Sequence, residues 1–145
     1  VMSAGTGITH SEFNASQEFE VKVLQIWLFP NKKNVIPRYD QRAIRDLQVE
    51  NKFYQILSPN EEDQGVWIHQ NSWFSMGEFS EKKTTEYKLN SSGNGVYAFI
   101  IEGEATIEGQ KLEKRDGFGI WDTDSISISA EKDSRILLME VPMVI

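Results

Sequence analysis

Residues 96–129, VYAFIIEGEATIEGQKLEKRDGFGIWDTDSISIS, decide the fold class. Ser125 to Ser129 alternates strictly, so on an extended chain Ile126 and Ile128 leave one face and the serines leave the other, as in a half-buried strand. Val96 to Ile101, Ala105 to Glu108 and Phe118 to Trp121 are short strand candidates upstream of it. Between them, Glu108-Gly109 and Asp116-Gly117 supply residues that tolerate positive φ, which tight turns require. Four strands with turn chemistry between them, in under 40 residues, point to an all-β barrel or sandwich.

The pattern extends in both directions. Tyr54 to Leu57, Val66 to His69, Trp73 to Phe79 and Thr85 to Leu89 precede it, the flexible run Asn90 to Gly95 (NSSGNG) marks a turn, and Arg135 to Val141 follows. The spacing of about 8 to 12 residues fits a barrel or sandwich. Further upstream, Val21 to Phe29 (VKVLQIWLF) reads as a strand with apolar residues on both faces from Leu24 onward. Residues 31–53 are polar and punctuated by Pro37, hence a connector, with one short helical candidate at Asp40 to Leu47. No 3.5- or 3.6-residue period is sustained, so bundles and coiled coils are excluded.

The chain has 145 residues and a formal charge of −7, enough length for a core that needs neither disulfides nor a metal. Residues 1–50 carry six acids and six bases, so the whole excess lies in residues 51–145, with sixteen acids and nine bases. Such a surface repels phosphate backbones, and nucleic acid is not an expected partner. No apolar run is long enough to span a membrane, and the first residues have no basic-then-apolar leader pattern; neither a membrane partner nor a signal peptide is expected. With no cysteine, thiol nucleophiles and thiolate-bound metals are excluded. A reducing compartment fits, and the expected location is the cytoplasm.

Few side chains are left for chemistry. His10 and Glu12 are two apart, so on an extended segment both leave the same face; imidazole plus carboxylate suits first-row divalent metals, while a solvated ion pair is the plainer alternative. His69 reads as a hydrogen-bonded or solvent-facing strand histidine, and Glu61, Glu62 and Asp63 as a solvated loop. Trp27, Trp67, Trp73 and Trp121 read as core residues, with an aromatic pocket as the alternative. The residues themselves name no catalytic base.

Gly103 to Trp121 resembles the middle of a cupin barrel, with its hairpin glycine, short strands and acid-glycine turn. Four further patches, SAGTGITHSEFN (residues 3–14), LQIWLFP (24–30), PRYDQ (37–41) and IHQ (68–70), resemble in order the pirin family of two-cupin proteins, with its bacterial quercetin 2,3-dioxygenase-like members. The resemblance implies a double-stranded β-helix, or jelly-roll, fold. It assigns residues 1–30 to the tail of a first cupin, holding the metal-ligand strand and a crossing strand, residues 31–53 to a connector, and residues 54–145 to a carboxy-terminal cupin. In that family the first cupin holds iron, Fe(II) or another divalent metal, through three histidines and a glutamate. The last histidine and the glutamate fall on His10 and Glu12. The other two belong to an upstream His-x-His motif outside this sequence, so the chain is expected to be the carboxy-terminal portion of a longer protein, to be inactive alone and to hold no metal tightly.

The same resemblance implies a metal-dependent dioxygenase acting on a flavonol-like small molecule; the alternative is a pirin-type interaction or regulatory protein with a structural or redox-sensing metal. Cupin metal motifs, G-x5-H-x-H-x3/4-E-x6-G and G-x5-P-x-G-x2-H-x3-N, place Leu89 to Ser92 and Val96 at ligand positions of the second cupin and Ile126 near one, none of them a competent ligand. That barrel is expected to be metal-free and filled with aliphatic side chains. The apolar strand Leu24 to Phe29, left partly uncovered, predicts a homodimer through the N-terminal segment.

Overall fold

Alternation of apolar and polar residues shapes most of the chain, whose computed structural model describes residues 1–144. A two-residue ribbon pairs β1 (Met2–Ser3) with β2 (Arg38–Tyr39), antiparallel, Ser3 opposite Arg38. The barrel follows: β3 (Phe53–Ser58), β4 (Val66–Trp67), β5 (Trp73–Phe79), β6 (Lys83–Lys88), β7 (Asn94–Glu102), β8 (Ala105–Ile107), β9 (Gln110–Leu112), β10 (Gly117–Ile120), β11 (Ser125–Ala130) and β12 (Ser134–Pro142). A six-stranded sheet runs β10-β7-β12-β5-β3-β4 and a four-stranded sheet runs β6-β11-β8-β9. Among the described residues only β3 and β4 pair in parallel.

The pleat sorts the side chains. On β11, Ile126 and Ile128 are fully buried, as the SISIS alternation requires, and they meet Ile107 from β8 in the space between the sheets. Ile100 from β7 and Ile136 and Leu138 from β12 fill it from the other side. Each such side chain contributes about 1.5–3 kcal/mol on leaving water, so this interior supplies much of the driving force for folding. The intervening residue Leu137 points the other way and packs with Tyr54, Leu57, Phe74 and Met76 in a second cluster on the outer face of the larger sheet. Val1, Leu28 and Leu47 pack on that outer cluster, so the N-terminal third touches the back of the barrel at these points while most of it stays exposed. The hairpin between β7 and β8 turns on Gly103, at φ +75°, where a Cβ would sit 2.7 Å from the Cα of Ser134; another residue would be both strained and crowded there.

Three expectations are corrected. Val21 to Phe29 forms no strand: among the described residues it has no partner strand, and a strand exists only when its backbone groups find one. The helix at Asp40 to Leu47 shrinks to a single 3-10 turn, Ile44–Asp46, preceded by Ala43, whose side chain cannot cap it. β9 was missed because its three residues bury only Leu112 and offer no alternation long enough to read. The accessible surface, 9832 Å², exceeds the roughly 7,600 Å² of a compact globule of this mass, and Phe13, Phe19, Val23, Trp27, Phe29 and Ile36 are among the exposed apolar residues responsible. Among the described residues no helix is long and apolar enough to cross a membrane.

Candidate functional site

His10 and Glu12 follow a turn stabilised by hydrogen bonds from the Thr6 amide to the Val35 carbonyl (3.2 Å) and from the Gly7 amide to the Ala4 carbonyl (2.8 Å). Their segment belongs to no sheet, yet the two side chains converge, with His10 Nε2 3.7 Å from Glu12 Oε1 and both largely open to solvent. The pair suits two positions in the coordination sphere of a divalent cation. Among the described residues no cluster of three or more histidine, cysteine, aspartate or glutamate side chains exists, so a third protein donor is not at hand. The residues present therefore fit a metal as half a site.

His69 has a different setting. Its ring meets the Trp67 ring edge-on, with centroids 4.7 Å apart, and its carbonyl accepts from the Asn31 amide at 2.7 Å. Beside it the Arg38 guanidinium lies 3.8 Å over the Trp67 ring and donates from Nη1 to the Trp67 carbonyl at 2.9 Å. The expected strand ends at Trp67, so His69 sits just beyond it, and its hydrogen bond runs through the backbone carbonyl while its ring packs on Trp67. The tryptophans line no common pocket: Trp27 and Trp121 are exposed, while Trp67 and Trp73 are half-buried on separate strands. Core readings for Trp27 and Trp121 are thereby corrected; both lie outside the regular strands, where no second sheet covers them. Glu61 to Asp63 form an exposed loop, as read.

Val96 and Ile126, which the cupin metal motifs set at or near ligand positions, are packed into the apolar interior with 2% and 0% of their surface exposed. What the sequence reading missed is Glu140, a fully buried carboxylate at the end of that interior. Its Oε1 accepts from the amides of Asn90 (2.9 Å) and Ser91 (3.0 Å) and from Asn94 Nδ2 (2.8 Å). Oε2 accepts from the Tyr87 hydroxyl (2.9 Å), Asn90 Nδ2 (2.8 Å) and, shared, the Asn90 amide (3.0 Å). Burial, and then the Glu140 charge beside it, push the Tyr87 hydroxyl well above its usual range. The signal was present: Ile136, Leu138 and Glu140 share one parity on β12, so an inward Ile126 on the facing strand implies an inward Glu140 once β12 is known to bury Ile136. With every lone-pair direction occupied, the cage ties the loop between β6 and β7 to the barrel and leaves no acceptor free for a metal.

Two packed, mainly antiparallel sheets closed over an aliphatic interior define the class, a cupin-type β barrel. The chain belongs to the quercetinase C-terminal cupin family, whose model matches residues 55–141. It is 34% identical to a quercetin 2,3-dioxygenase of Escherichia coli K12 over 99% of this chain and 61% of that protein. A pirin-like protein of Caulobacter vibrioides is 29% identical over 97% of this chain and 60% of its own length. The bacterial pirin YhhW of Escherichia coli, crystallised in complex with nickel(II), superposes with a TM-score of 0.70 at 29% identity, covering 79% of this chain and 48% of that one. The chain thus spans about three-fifths of the curated relatives it matches.

Proposed function

We propose that this chain carries the carboxy-terminal cupin of a metal-dependent oxygenase that acts on flavonol-like molecules, with His10 and Glu12 supplying two of the metal's ligands. The observation that carries the reading is the convergence of those two side chains at 3.7 Å outside the barrel, in a chain whose own barrel interior is packed with aliphatic residues. Residues 1–30 belong, in this reading, to the end of a preceding cupin, residues 31–53 connect the two, and residues 54–145 form the second barrel. Sequence similarity to quercetin 2,3-dioxygenases along nearly the whole chain supports it. A bound divalent metal supplies Lewis acidity and coordination positions for substrate and O2, and iron is the metal proposed. His10 would donate through a ring nitrogen and Glu12 through a carboxylate oxygen.

The second barrel's contribution is rigidity. Its outer face carries Val1, Leu28 and Leu47, and so fixes the chain that leads from the metal-ligand segment. The test is oxygen consumption with quercetin by a whole protein containing this sequence and loaded with iron. Turnover that disappears in His10→Ala and Glu12→Ala is the result expected; no turnover with iron fully bound would overturn the dioxygenase reading and favour a regulatory role for the metal. The 145-residue chain alone binds Fe(II) or Ni(II) weakly, since two protein donors leave the rest of the sphere to water.

A further inference from the structure

We infer that Arg38 is a positioning residue: stacked on Trp67, it anchors the β1–β2 ribbon to the second barrel and thereby fixes the segment that presents His10 and Glu12. The inference rests on the metal reading of that pair, and it gives the second barrel a specific part in the site.

The physical chain is short. Arg38 grips the barrel in two ways, with its guanidinium carbon Cζ 3.8 Å from the centre of the Trp67 ring and Nη1 donating to the Trp67 carbonyl at 2.9 Å. A planar cation makes both contacts at once, which a lysine ammonium cannot. Asp40 holds the guanidinium from the other side, with Oδ2 3.8 Å from Nη2, and only 19% of the Arg38 side chain is exposed. The backbone of Arg38 is β2, paired with Ser3 of β1, and the ribbon continues through the bond from the Asp40 amide to the Val1 carbonyl at 2.9 Å. Beyond β1 the chain is pinned a second time, where Gly5 at φ +53° passes so close to Val35 that a Cβ would lie 2.0 Å from the Val35 carbonyl oxygen. His10 is five residues further on. Between that pin and His10 the described residues contribute the Thr6 and Gly7 amide bonds, so the ribbon is the nearest fixed point from which the pair is presented. Side chains that orient metal ligands from outside the coordination sphere alter affinity by about tenfold or more when removed.

The experiment uses a whole protein containing this sequence, with Ni(II) titrated by calorimetry, Co(II) absorption as a spectroscopic signature, and amide hydrogen exchange at Ser3 and Thr6. Arg38→Ala is expected to weaken Ni(II) binding about tenfold, to shift the Co(II) bands, and to speed exchange at both amides, while the barrel melts within about 2 °C of the parent. Arg38→Lys, which keeps the charge and loses the planar stack, should fail to restore the Co(II) spectrum. Gly5→Ala perturbs the ribbon without touching Trp67 and should reproduce the loss of affinity, which keeps the inference open to refutation if Arg38→Ala does not fold. Faster exchange with unchanged Ni(II) affinity and an unchanged Co(II) spectrum would overturn the positioning role, and unchanged exchange would overturn the anchor itself. His10→Ala separates the two readings. If Ni(II) binding survives that substitution, the metal pair is wrong and the positioning role falls with it, whatever the exchange data show about the anchor.

Discussion

Replacing Glu140 by glutamine tests how much of the barrel's stability depends on one buried charge. The carboxylate accepts from five donor groups at 2.8–3.0 Å, with the Asn90 amide shared between its two oxygens. Glutamine is nearly the same shape, so no cavity forms and the change is purely electrostatic. In one orientation its amide nitrogen faces Ser91, Asn94 and the Asn90 amide; in the other it faces Tyr87 and the Asn90 side chain, which can turn to accept. The second orientation is the cheaper one. Even so, every remaining bond changes from charge-assisted to neutral, a loss of about 1 kcal/mol each, and at least one donor is left without a partner. The expected destabilisation is about 3–5 kcal/mol, which for a domain of this size lowers Tm by about 10 °C. Urea unfolding followed by tryptophan fluorescence gives the free energy, and hydrogen exchange at Asn90 and Ser91 reports the loop directly. A Glu140→Gln protein that melts within about 3 °C of the parent, with those amides still protected, would refute the view that the carboxylate holds this end of the barrel.

Ile126→Asp should lose several kcal/mol, on the order of 4, because the side chain has no exposure and no donor nearby to compensate a charge; melting within a degree or two of the parent would mean that position 126 can reach water. Alkaline unfolding follows from Tyr54 and Tyr87. Both hydroxyls are pushed up, chiefly by burial and then by Glu78 and Glu140 respectively, so the folded chain holds those protons more tightly than the unfolded chain does. Stability is therefore complete below about pH 10 and falls above it, by up to about 1.4 kcal/mol per pH unit for each tyrosine; urea midpoints between pH 9 and 11 that stay level would contradict this, and Tyr87→Phe should flatten the slope. The isolated chain should associate at micromolar concentration through Trp27 and Phe29, which face water while Leu28 packs inward; light scattering showing a monomer, or a dimer unaffected by Trp27→Ser with Phe29→Ser, would rule that contact out.

The barrel was legible because its information is local. Alternation at Ser125–Ser129, the acid-glycine turns and the regular spacing each depend on a few neighbouring residues, and the strands lie where those signals put them, to within a residue or two at most ends. The same locality made the juxtaposition of His10 and Glu12 legible, since two side chains two residues apart on extended chain can meet without help from the rest of the protein. Val21 to Phe29 has equally strong apolar, β-branched character and forms no strand, because strand formation requires a partner elsewhere and composition cannot say whether one is present. Glu140 and Arg38 read as ordinary surface charges. One is buried because β12 passes between β5 and β7 in a register that turns its even-numbered residues inward toward a loop some 50 positions earlier in the chain. The other is bound because the connector crosses the β4 edge at Trp67, 29 residues away. Such pairings are set by strand order and crossing, so the sequence by itself determined most of the barrel's strands, and only the tertiary structure decided which apolar segment would go unpaired and which charges the strands would enclose.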